Sequence, residues 1–216
     1  MQAEGISPEA NFFIQGFLGM AWFMFPASMV VCTVLLNQTE RTDRGLLKML
    51  TLPINTVSLC LARFVVLLSL AALQILMSVG AYYLSAVTVT WLQNYSFVLP
   101  PLFLLKESIL FFLSSVPMLA VFWLLAVCFR SPLLSIGAGL VSIVPPVLII
   151  NTKAWVLYPV SYPFFVITAE YGKLAEHLTT AQVKLFPWIP AALAITAICL
   201  LISCLRFGRS ERSLSL

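Results

Sequence analysis

The chain is poor in charge and in nearly every residue type that does chemistry in water. Only 9% of its 216 residues are charged, with one histidine, His177, and one aspartate, Asp43. A Ser-His-Asp arrangement needs its three groups within hydrogen-bond reach. By the topology derived below, His177 and Asp43 stand a membrane's thickness apart, which excludes a triad. The five cysteines, an odd number, lie in or beside apolar runs and form no Cys-x-x-Cys pair, so they read as small apolar packing residues. No His or Cys cluster has metal-ligand spacing, and no helix offers two histidines at i and i+4. A paired-carboxylate intramembrane hydrolase needs grouped acids inside the spans, yet the only acid there is Glu107. A phosphate-binding loop is missing too, because Gly172-Lys173 has neither the preceding glycine nor the following hydroxyl. No catalytic residue, cofactor or metal ligand is therefore assigned, nucleic-acid binding has no basic footprint, and any ATP used must be bound by another chain.

The chain is instead rich in apolar sequence. Hydrophobic residues make up 61% of it, against about 45–50% in a soluble domain, and the mean hydropathy is +1.03. This composition predicts an all-α, polytopic transmembrane helix bundle, one domain over residues 1–216 with no sizeable soluble part. Apolar runs measured against a hydrocarbon core of about 30 Å give five spans, near 12–36, 64–88, 102–129, 132–151 and 186–206. Residues 53–92 hold one charge, Arg63, and as one helix would reach roughly 60 Å. The second span is accordingly started at Arg63, whose head can snorkel to the interface. Pro26, Pro117, Pro145 and Pro146 fall inside spans and are expected to kink them. The first span reads as a retained helix, because Glu4 and Glu9 precede it and no basic residue does.

Orientation follows from lysine and arginine near span ends. Arg41, Arg44, Lys48, Arg63, Arg130, Arg206, Arg209 and Arg212 share one face, eight of the twelve basic residues. On the other face Lys106, Lys153, Lys173 and Lys184 are diluted by glutamates. This places the N-terminus outside and the C-terminus in the cytoplasm. Trp91, Tyr95, Trp155, Tyr158, Tyr162 and Trp188 cluster at the outer span ends, as an interfacial aromatic belt would. The outer segment 152–185 holds either a re-entrant turn with an interfacial helix or an ordinary surface loop with an amphipathic helix. Glu107, one to two turns below the outer interface, is either a helix-end carboxylate touching headgroups or water, or a polar contact in a substrate path.

Charge concentrates in ERTDRGLLKMLTLP, residues 40–53, which holds five charged side chains. On a helical wheel Arg41, Arg44 and Lys48 share one face, with Leu46 and Leu50 opposite. Glu40 and Arg44 are spaced i, i+4 in the favourable order, Thr39 is a candidate N-cap, and Pro53 closes the segment. The pattern predicts a short amphipathic helix along the cytoplasmic surface, whose basic face meets either anionic lipid headgroups or a docking partner.

Glu40, Gly45, Lys48, Leu50, Leu52 and Pro53, followed by Arg63 at the head of a span, resemble the E-x-x-x-x-G-x-x-K-x-L-x-L-P segment of ABC-2 type transporter permeases. PVSYPF, residues 159–164, is similar to small permeases of bacteriocin, lantibiotic and peptide-antibiotic immunity systems. The resemblance implies a bacterial plasma-membrane permease that is not itself an enzyme. It also implies an ABC ATP-binding subunit docking on a coupling helix (Glu40, Arg41, Arg44, Gly45, Lys48, Pro53), and a homodimer or second permease subunit. The implied cargo is an antimicrobial peptide or drug-like amphiphile, with Glu107 a candidate for its path. The family usually has six spans and a cytoplasmic N-terminus; by that comparison the first family span is expected to be missing here, either because the chain is truncated or because this member works with five. The rival expectation is a non-transporting scaffold or accessory subunit whose amphipathic helix only binds lipid.

Overall fold

The computed structural model describes residues 8–42, 56–93, 95–129, 131–149, 152–174 and 185–212, and all regular structure among them is helical. Helix α1 (Pro8–Gly19) runs through a π-helical segment (Met20–Met24) into α2 (Phe25–Thr42). The 38-residue α3 (Thr56–Gln93) follows, then α4 (Pro101–Cys128), α5 (Pro132–Val141) and the short α6 (Pro145–Ile149). Two 3-10 turns (Lys153–Leu157, Pro159–Ser161) lead into α7 (Tyr162–Leu174), and α8 (Leu185–Arg212) comes last. Among the described residues five stretches are long and apolar enough to cross a membrane: Pro8–Gln38, Val57–Gln93, Pro101–Cys128, Pro132–Ile149 and Trp188–Arg206. The bundle end at which α1 begins is termed the near end, and the opposite one the far end.

The helix boundaries correct four expectations. Helix α2 runs unbroken through Thr39 to Thr42, so Thr39 caps no separate helix. No glycine or proline stands between Pro26 and Gly45 to stop propagation. Likewise α3 starts at Thr56, about two turns ahead of Arg63. Arg63 is only 5% exposed and packs into the bundle instead of snorkelling. Third, Pro145 and Pro146 break the fourth span rather than kink it: α5 ends at Val141 and the chain turns over Ser142–Val144. A proline ring clashes with the carbonyl four residues back and offers no N–H, so both prolines start a new helix. Fourth, the belt aromatics divide. Trp91 is exposed, but Tyr162 and Trp188 are buried.

The π segment has a local cause. Pro26 lacks the N–H that would bind the Trp22 carbonyl, and its ring would crowd that carbonyl in an ordinary turn. The wide turn, closed by Phe25 N–H to Met20 O, relieves the conflict.

Helix α4 is the axis of the bundle, with 56% of its spanning window buried against 17% for α8. It packs on α2, α3, α5, α7 and α8. Its start is set by Pro101 in the first turn after extended Pro100, and it ends at extended Phe129. Residues 152–174 fold back onto the bundle at the near end, where α7 lies against α1, the π segment and α4. Nine of the eleven residues from 159 to 169 are buried, which is not the pattern of a surface loop. Trp155 stacks on Phe165 with centroids 3.7 Å apart, and Tyr162 meets Trp188 edge to face at 5.8 Å.

Candidate functional site

Helix α3 carries a lateral groove on each flank of its near half. The groove it shares with α4 holds about 470 Å³ and is walled by hydrocarbon from Ala72, Ile75, Val79, Leu104 and Phe112, with Tyr83 and Ser108 its only polar residues. The groove it shares with the first span holds about 500 Å³. There Phe12, Phe17 and Tyr82 supply rings, Met20 and Met24 thioethers, and Gln15, Ser78 and Ser85 a polar edge. Gly16 contributes open space, since a Cβ added there meets nothing within 4 Å. Sequence reading anticipated neither groove. For the second, the available signal was Gln15 beside Gly16 and Gly19 in an apolar run that leads to Pro26.

Glu107 lies on the buried stripe of α4 with Leu104, Phe111, Ser114 and Met118. At 2% exposure it faces the bundle interior, so it is not the headgroup-touching carboxylate of the first expectation. It takes part in at least one interaction there and lines neither groove.

Of the charged segment, Glu40 and Arg41 sit in the backbone of the last turn of α2. Asp43, Arg44, Gly45, Lys48 and Pro53 lie outside the described residues, as does most of the expected amphipathic helix. The far end around this segment is tied by polar contacts. Asn37 Nδ2 donates to the Ala126 carbonyl, linking α2 to α4. Trp123 Nε1 lies 3.4 Å from Cys60 Sγ, linking α4 to α3.

Outside the spans Tyr95, Tyr158 and Tyr162 are held in their neutral form, Tyr158 chiefly by burial. Tyr95 donates to Glu9 Oε2 at 2.7 Å, and that hydrogen bond to a carboxylate raises its pKa. Burial pushes Tyr162 up to about 12.

Among the described residues, five apolar stretches able to span, packed around a buried axis helix, define a multi-pass membrane protein. The profile described as ABC-2 family transporter protein matches residues 1–146. The chain belongs to this family of transport permeases: membrane components, not themselves catalytic, that associate with an ABC ATP-binding subunit. Neither a curated protein nor a solved structure gives a match.

Proposed function

We propose that the chain is the membrane half of an ATP-driven exporter, paired with a second copy or a second permease, moving an antimicrobial peptide or drug-like amphiphile out of or away from the membrane. The observation that carries this reading is the family match over residues 1–146, which contains the charged segment 40–53. Closure of an ATP-binding dimer would push on Glu40, Arg41, Arg44, Gly45, Lys48 and Pro53 and so rearrange the spans around α4. The lysine and arginine bias supports a cytoplasmic side for that segment and the C-terminus and an outer side for the near end, and the resemblance supports a bacterial plasma membrane.

The test is co-purification. Stable capture of an ATPase, lost when Arg44→Glu and Lys48→Glu are combined, is the expected result. Equal capture by the double variant would overturn the coupling role, and no ATPase at all would overturn the exporter. Asp43→Cys should resist a membrane-impermeant thiol reagent added from outside.

A further inference from the structure

The groove between the first span and α3 is a consequence of two neighbouring features. Gly16, in its lining, carries no side chain into open space, for a Cβ there meets nothing within 4 Å. The π segment directly below widens the helix over Met20–Met24. The resulting volume, about 500 Å³, falls in the range of about 300–1,000 Å³ typical of small-molecule sites. From Phe12 to Met24 the wall runs about 18 Å at 1.5 Å per residue, close to half of a hydrocarbon core of about 30 Å. It therefore has the depth of one leaflet.

The lining sets what fits. None of the residues that form it is charged, so a charged group buried here would go unpaired and is disfavoured. The thioethers of Met20 and Met24 give an adaptable apolar surface. Along the polar edge the exposed Gln15 amide bonds Asn11 Oδ1 through Nε2 at 3.2 Å, which leaves its carbonyl and a second N–H. Ser78 and Ser85 donate to carbonyls of their own helix, leaving their oxygens as acceptors. A bare hydrocarbon chain satisfies none of these groups. The groove on the other flank of α3, of similar size but nearly all hydrocarbon, lacks this edge.

We propose that the groove between the first span and α3 is a binding site for a single-chain, uncharged amphiphile whose head carries amide or hydroxyl groups. As a statement of cargo class it rests on the exporter reading; as a binding site it does not.

The probe is a fatty-acyl ethanolamide carrying a chain diazirine, photolysed with the full chain in nanodiscs and mapped by peptide mass spectrometry. Label is expected within residues 12–24 and 78–85. Gly16→Leu directs a side chain into space that is open at its Cβ and should cut labelling about tenfold, the equivalent of about 1.4 kcal/mol. Gly137→Leu, the same addition at another open glycine, should leave it unchanged. Label spread evenly over all spans, or undiminished in Gly16→Leu, would overturn the site. So would competition by a phospholipid as effective as that by the unlabelled amide. Disulfide cross-linking of two copies through Met24→Cys would mean that a second copy covers the groove, and would likewise overturn it. Because labelling needs no ATPase, failure to capture one would sink the exporter and leave this result standing.

Discussion

The two ends of the bundle are held together by different means. At the near end the rings of Phe12, Phe13, Phe17, Tyr82, Phe97 and Phe103 interlock, and Trp155, Tyr162, Phe165 and Trp188 form a second aromatic group. Among the described residues the far-end ties include the amide of Asn37, the Trp123–Cys60 contact and a close approach of α5 to α2. Helices in lipid gain nothing from hydrophobic association and depend on dispersion contacts and hydrogen bonds. Many ring contacts, each modest, add up to a stiff end, whereas polar and close-packed ties at single points can be exchanged one at a time. A far end of that kind suits the proposed push from an ATP-binding subunit.

Three substitutions sharpen the contrast. Trp155→Ala should have the largest effect, because it removes the ring stacked on Phe165 and edge-on to Tyr162. A loss of about 3 kcal/mol is expected, read as a lower thermal midpoint in detergent. Trp155→Phe should recover much of it; a midpoint unchanged by Trp155→Ala would mean that the near end is not held by these rings. At the far end Gly139→Ala comes next. A Cβ there would stand 2.6 Å from Val30 Cγ1, and a β-branched valine has little rotamer freedom with which to yield. The expected cost is about 1–3 kcal/mol, and Val30→Ala should restore most of it in a double-mutant cycle. Asn37→Ala removes one tie to the Ala126 carbonyl and should cost about 1 kcal/mol. If Asn37→Ala proved more damaging than Trp155→Ala, the ranking of the two ends would be reversed.

The sequence reveals the two ends unequally. Spans appear in it because length and apolar content are additive properties, and so the ends of the third and fifth spans are read to within about two residues, the ordinary uncertainty of helix boundaries. Which way a ring points is decided by what lies across from it. Tyr162 and Trp188 look like interfacial anchors by position, but each is the other's neighbour and both turn inward. Arg63 misled for a related reason, since the apolar stretch before it, with no breaker after Pro53, extends α3 past the depth at which an arginine is expected to stop a span. The break at Pro145-Pro146 is visible as two prolines, because a doubled breaker ends a helix where a single one only kinks it. The groove beside Gly16 needs α1 and α3 together, and neither segment shows it alone. The charged segment is a proposed coupling element by resemblance alone, and Arg44, Gly45, Lys48 and Pro53 lie outside the described residues.

The smallest effect should come from alkaline pH, where it separates two tyrosines that both belong to the near end. A free phenol titrates near pH 10. Both Tyr95 and Tyr162 have folded values above that, so each favours the fold fully below about pH 10, and the contribution fades as pH rises through the folded value. For Tyr162 that window closes near 12 and its cause is burial. For Tyr95 the cause is chiefly the hydrogen bond to Glu9. Glu9→Gln should therefore return Tyr95 towards the ordinary value and leave Tyr162 where it is. Tyrosinate absorbance, followed against pH in Tyr95→Phe and Tyr162→Phe backgrounds to assign each step, provides the measurement. A shift of both steps by Glu9→Gln would mean that the two aromatic groups titrate as one body, and the near end would then be a single coupled layer instead of two.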